Sequence, residues 1–420
     1  MDPSFGPHPD LLILTFPAGS SLSRWNRFGV IDREIPFIKG IARSIPRILF
    51  VSIDGEDDAS LAKELDAAVR DQAMPDGPAA RVIGPRIDAI AERVPDADLG
   101  ENRTLEERVL ARVGVARDVV IQTMQLDDGG LAHRMLSPLR RVGLNAALVA
   151  RGSFIDSRVL SSTLGPHHYK TLSLGAAEHQ ICSSAQIVVG SSVTMIDELC
   201  WKNGIDTARA RVVAQHVAAN PISAARAADL IVTSGRFNGA CQSFRGAIDS
   251  VGALPPEHRG RVELHLLGDG PDGHDLPAYA ESRGVSLTIR RGLAHAELQG
   301  ALSTATIYIQ TEGSRRQSHT VLEAMAAGCP VVVTDLPEYN GLIENGTTGI
   351  RVTPEARGFA FAIDCLLSDA SFRGMLGESA QTRIAFKCGL ERAVDKMLSC
   401  YTDALRAAPQ QGAQNERRAS

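Results

Sequence analysis

The sequence has no excess of positive charge. Its 44 Lys and Arg stand against 49 Asp and Glu, a formal net charge of -5. That leaves no electrostatic footprint for nucleic acid. Aromatic residues are few, at 5%. The 7 cysteines are odd in number and scattered, and none form a Cys-x-x-Cys pair. A disulfide frame and a zinc site are therefore not expected, and the cysteines read as small core residues in a reducing compartment. No run approaches the roughly 20 apolar residues needed to span a bilayer. The start, "MDPSFGPHPDLLILTF", has no Lys or Arg, and "LLILTF" reads as a strand, not a secretion signal. No repeat of solenoid period is visible. The expectation is a cytoplasmic protein, with residues 408–420 a disordered tail.

What is present is an alternation. The first half holds the apolar runs "LLILTF", "RILFVS", "DVVIQT", "AALVAR", "QIVVGS" and "RVVAQH". The second holds "LIVTSG", "VELHLLG", "VSLTIRR", "TIYIQT", "PVVVTD" and "TGIRV". Unbroken apolar runs suit parallel strands covered on both faces. Amphipathic stretches such as "TLEERVLARVG" separate them. The pattern predicts an α/β fold with parallel sheets, and 420 residues suit two domains better than one core. The Asn-Pro break in "AQHVAANPISAARAAD" marks the linker. We expect domains at 1–220 and 221–388, with a last helix at about 389–407 that has no following strand.

Open parallel sheets bind ligands beyond the C-terminal ends of their strands. After "LIVTSG" comes Arg236, and after "VELHLLG" a turn carrying Gly268 and Gly270. After "TIYIQT" comes a polar loop and the helix "HTVLEAMAAG", with Ser318 as its N-cap. A helix N-terminus offers free N–H groups and partial positive charge, which suits phosphate. An Arg, a Gly-rich turn and a helix N-terminus on three strand tips point to a nucleotide or sugar-phosphate site. Each alone would be ordinary: a surface cation, a tight connection, a capped helix.

"SGRFN", "HLLGDGP" and "TEGSRRQSHTVLEAMAAGCPVVVTDLPEYNGLIENGTTGIRV" together resemble the donor half of a GT-B glycosyltransferase of family 4. The resemblance covers nearly all of the second half and is looser in the first, where "SLSRWNRFGVIDREI" and "AEHQICSSAQIVV" resemble bacterial polysaccharide enzymes. It implies two Rossmann-like domains facing a cleft. It also implies transfer of a sugar from a nucleotide diphosphate donor, with retention and without a cofactor or bound metal. Glu323 matches the family's ribose-binding Glu, and Gln317, Ser318, His319 and Thr320 its phosphate-binding turn. The family's earlier Glu, which contacts the sugar, falls by count on Arg315; Glu312 lies three residues before that position. Either an insertion brings Glu312 in, or Arg315 stands there. Arg236 matches the family's diphosphate-binding Arg, but its companion Lys is absent near Ala240, and Arg315 or Arg316 is a candidate to replace it.

In the first half, Gly19, Ser20 and Ser21 follow the first strand, and Gln122, Gln125, Asp127 and Arg151 follow later ones. By resemblance Glu178 lies near the acceptor. Residues 24–47 interleave Arg24, Arg27, Arg33, Lys39, Arg43 and Arg47 with Trp25, Phe28 and Phe37. That composition reads either as a peripheral membrane contact or as a core-packed helix with solvated Arg residues. The resemblance implies a saccharide or lipid-linked acceptor in surface or exopolysaccharide synthesis at the inner face of the plasma membrane. A nucleotide-sugar 2-epimerase and a non-catalytic nucleotide-sugar-binding subunit stay open beside it.

Overall fold

The fold is taken from a computed structural model, described over residues 8–16, 20–27, 30–70, 87–91, 104–127, 130–152, 157–217, 229–237, 241–311 and 317–409. The chain divides into two compact units. Unit 1 is Met1–Gln215 with Leu390–Ser420, and unit 2 is His216–Gly389.

Unit 1 holds seven parallel strands: β1 Leu11–Thr15, β2 Arg47–Ser52, β3 Ile87–Ala91, β4 Asp118–Thr123, β5 Asn145–Arg151, β6 Ile187–Gly190 and β7 Ala210–Val212. Their order is β3-β2-β1-β4-β5-β6-β7. The unbroken apolar runs follow from two covered faces. In β1, Leu12 and Leu14 enter one core while Leu11 and Ile13 enter the other; in β4, Val120 is set against Val119 and Ile121 in the same way. The strand β3 was not foreseen. Its sequence, "IDAIA", is interrupted by Asp88, whose carboxylate pairs with Arg112 at 2.7 Å on the edge of the sheet.

The helix Leu390–Arg406 belongs to unit 1. Val394, Met397, Leu398, Tyr401 and Ala404 enter the same core as Leu12 and Val120. Gly40 lets it approach the helix Val30–Ala42, since a Cβ there would lie 2.6 Å from Val394. The Tyr401 hydroxyl donates to Gln122 Oε1 at 2.6 Å inside this core. Gln122, expected to face a cleft, is thereby committed to the interior.

The reading of residues 24–47 as a membrane face is corrected in its apolar half. Trp25 and Phe37 are buried in the core, with Trp25 edge-on to Phe16 at 4.9 Å. Phe28 and the Arg27 side chain lie outside the described residues. Arg47 donates to the carbonyls of Val113, at 2.8 Å, and Arg112. Arg24 and Arg43 face solvent.

Unit 2 holds six parallel strands: β8 Leu230–Arg236, β9 Glu263–Asp269, β10 Ser286–Arg291, β11 Ile307–Gln310, β12 Val331–Thr334 and β13 Ile350–Val352. Their order is β10-β9-β8-β11-β12-β13. Both sheets reverse direction beside their first strand, between β1 and β4 and between β8 and β11. The crevice beyond such a reversal is where open parallel sheets take ligands.

Candidate functional site

In unit 2 the reversal lies between Arg236, exposed at the end of β8, and Gln310, buried at the end of β11. Gly235 and Gly268 are register partners on β8 and β9. A Cβ on Gly268 would stand 2.1 Å from the Gly235 carbonyl oxygen, so side chains there would force these strand tips apart. Gly270 follows with φ 138, in a conformation that favours glycine. Arg291, at the end of β10, holds this turn. Its guanidinium donates to the carbonyls of Gly270 and, at 2.7 Å, Asp272, and lies 3.9 Å from the centre of the Phe237 ring.

The third wall is the helix His319–Ala326. Ser318 is its N-cap, but its hydroxyl makes no capping bond, which corrects half of the expected role. The Ser318 N–H donates to the Tyr339 hydroxyl at 3.3 Å, and Gln317 Nε2 donates to the Glu338 carbonyl at 3.1 Å. The segment Pro337–Tyr339 thus fixes the approach to the helix. His319 and Thr320 are half-buried in its first turn.

Glu323 is 1% exposed. A carboxylate so deep needs polar partners. His319, one turn earlier, places Nε2 at 3.8 Å from Glu323 Oε1, and His295, on a different helix, places Nδ1 at 3.7 Å. The His216 ring meets that of His319 edge-on at 6.4 Å. The small residues around Glu323 have a packing cause. Ala324, Ala326 and Ala327 are buried, and Gly377 lets the helix Ala370–Cys388 approach Gly328, where a Cβ would lie 2.1 Å from the Gly328 oxygen. A fixed backbone there fixes the carboxylate. The arrangement sets a buried carboxylate in the helix that follows β11, while the neighbouring strand β8 ends in the cation Arg236. That suits a polyol joined to a phosphate.

Residues 228–369 match the family described as Glycosyl transferases group 1. HepE from Anabaena, solved in complex with UDP, superimposes with a TM-score of 0.64 at 17% identity, covering 93% of this chain and 98% of that one. Sucrose-phosphate synthase from Thermosynechococcus elongatus gives 0.66 at 15% identity, covering 95% and 100%. The chain has the GT-B fold, and the matched stretch 228–369 lies within unit 2. The lipopolysaccharide core biosynthesis glycosyltransferase LpsE of Rhizobium meliloti (strain 1021) is 28% identical over 209 residues, 48% of this chain and 59% of that protein. The alpha-D-kanosaminyltransferase of Streptomyces kanamyceticus is 31% identical over 149 residues, 34% of this chain and 39% of that protein. The chain thus spans about half the length of these curated relatives.

Unit 2 brings Glu323, His319, Ser318 and Gln317 together, with Arg236, Gly268 and Gly270 at the ends of the adjacent strands β8 and β9. Glu312, Arg315, Arg316 and Ala240 lie outside the described residues, as does Gly19 in unit 1. His295, Arg291 and Tyr339 had no motif to mark them. His295 comes from a separate helix, and nothing in its local sequence announces Glu323 as its neighbour.

In unit 1, Ser20 and Gln125 are half-buried beyond β1 and β4, and Arg151 is buried at the end of β5. Glu178 is tied into the fold. Its oxygens accept from the Ser157 N–H at 2.5 Å and hydroxyl at 2.6 Å, and pair with Lys202 at 2.9 Å. Glu178 thus anchors the helix Ser157–Leu164.

Proposed function

We propose that the chain transfers a sugar from a nucleotide diphosphate donor to a saccharide acceptor. The observation that carries this reading is Glu323, buried in the helix His319–Ala326 with two imidazoles within 4 Å, inside the stretch 228–369 that matches the Glycosyl transferases group 1 family. In this reading Glu323 accepts the ribose hydroxyls, and Arg236 and the N–H groups of His319 and Thr320 face the diphosphate. The relatives support it: LpsE is a glycosyltransferase of lipopolysaccharide core biosynthesis, and HepE has also been solved with UDP-glucose. We extend the reading to retention of anomeric configuration without a bound metal, the departing phosphate receiving the acceptor's proton. The protein's contribution is then orientation and stabilisation of the leaving diphosphate.

The acceptor we propose is a saccharide of a bacterial surface or exopolysaccharide, held on a lipid at the inner face of the plasma membrane. Among the described residues no helix is long and apolar enough to cross a membrane. Contact with a bilayer would rest on exposed cations such as Arg24 and Arg43, and salt-sensitive sedimentation with anionic vesicles tests it.

The test of the function is a panel of nucleotide sugars scored by shift in melting temperature, then by transfer to a saccharide extract with chelator present. One nucleotide sugar should stabilise the protein and lose its sugar to the extract. Conversion of the donor sugar without acceptor would mark an epimerase. Binding without turnover would mark a non-catalytic subunit.

A further inference from the structure

Among its described residues, unit 1 holds a buried cation and a buried carboxylate with unmet hydrogen-bonding capacity. Arg151 is 7% exposed, at the C-terminal end of β5. Its backbone is tied to Thr123, whose Oγ1 accepts from the Arg151 N–H at 2.9 Å. Its guanidinium lies 5.3 Å from the centre of the Phe37 ring. Among the described residues no group accepts a hydrogen bond from that guanidinium, and no carboxylate pairs with it. The nearby Tyr401 hydroxyl is taken up by Gln122.

Glu34 is 4% exposed and lies one turn before Phe37 on the same inward face of the helix Val30–Ala42. Its Oε2 is buried without a hydrogen-bond partner among the described residues. This helix sits between β1 and β2, so its first turns lie at the C-terminal edge of the sheet, the edge where β5 presents Arg151. Burying either group without a partner is costly. Two such groups at the ligand-binding edge, one against the Phe37 ring and the other one turn away on the same helix, describe a site that a ligand completes.

The chemistry of the two groups selects the ligand. A guanidinium presents a planar fork that matches a carboxylate or phosphate. An ionised carboxyl accepts hydroxyl hydrogens and repels other anions. A molecule satisfying both carries an anionic group and free hydroxyls on one small frame. We propose that Arg151 and Glu34 form a subsite for an acidic sugar of the acceptor. The guanidinium takes the sugar's carboxylate or phosphate, and Glu34 takes its hydroxyls. This rests on the proposed function, which it narrows to acceptors ending in a uronic acid or a sugar phosphate.

Calorimetric titration of the full chain with glucuronate, glucose 6-phosphate, inorganic phosphate and glucose tests it. At least one acidic sugar should bind about tenfold or more tightly than glucose, and which one does so tells carboxylate from phosphate. Arg151→Met keeps the side-chain stem over Phe37 and should abolish that preference. Glu34→Gln should weaken the acidic sugar while leaving inorganic phosphate unchanged. Equal affinity for glucose and both acidic sugars in the wild type overturns the proposal without any variant. An unchanged preference in folded Arg151→Met does the same. A parallel titration with UDP, GDP and ADP separates the two readings. If no nucleotide binds but acidic sugars are still discriminated, the donor reading fails and the subsite stands. Nucleotide binding without discrimination sinks the subsite alone.

Discussion

Among single residues, Gly268 at the tip of β9 makes a sharp stereochemical demand. Gly268→Ala puts a Cβ 2.1 Å from a backbone oxygen, and backbone cannot rotate away as a side chain can. We expect a loss of about 1–3 kcal/mol, the usual range for overpacking, together with weaker nucleotide binding, because the turn at Gly270 shifts with the strand. Urea unfolding reads the first effect and calorimetry the second. The cysteines make a different residue-scale prediction. All seven are free thiols, and Cys365 alone is not buried. Burial pushes the Cys182 thiol up to about 12 and the Cys400 thiol up to about 11. At pH 8 the thiolate of Cys182 is then roughly one part in ten thousand, and the attacking species is the thiolate. Iodoacetamide at pH 8 should therefore label Cys365 first in the native protein, and the others only with denaturant. Early labelling of Cys182, read by peptide mass, would contradict its place in the core.

Among elements, the helix Leu390–Arg406 gives the clearest test, because it returns to a core built by distant strands. Tyr401→Phe leaves the buried Gln122 Oε1 without its donor. The expected cost is about 1–3 kcal/mol, read as a lower melting temperature. Nucleotide binding by unit 2 should be unaffected. The sequence made most elements legible for one reason. A strand covered on both faces is apolar along most of its length, and β1, β2, β4, β5, β6, β11 and β12 advertise it. The edge strand β3 does not, since one of its side chains is an aspartate bonded at the rim. The helix Val30–Ala42 shows the opposite limit. Its basic and aromatic residues fit a bilayer or a core equally well, and only the packing of Trp25 and Phe37 decides. At the site, Glu323 was legible through its motif. Its imidazole neighbours were not, because His295 arrives by tertiary packing. Glu178 was legible as a polar residue but not as one already held by Ser157 and Lys202.

At the scale of the whole molecule, two parallel sheets each present a reversal of strand order, and each carries buried ionisable groups at that end. In unit 2 these are Glu323 and its histidines; in unit 1 they are Glu34 and Arg151. The central claim is that Glu323 reads the ribose of a nucleotide diphosphate. The most direct test titrates the wild type and Glu323→Gln with the tightest of UDP, GDP and ADP, and with its 2′-deoxy form. A charge-assisted hydrogen bond contributes roughly 1.5–3 kcal/mol, about tenfold to more than a hundredfold in affinity. The wild type should prefer the ribonucleotide by at least about tenfold. Glu323→Gln should bind both forms weakly and nearly equally, since the coupled interaction is lost on either change. The same preference in both proteins would contradict the assignment.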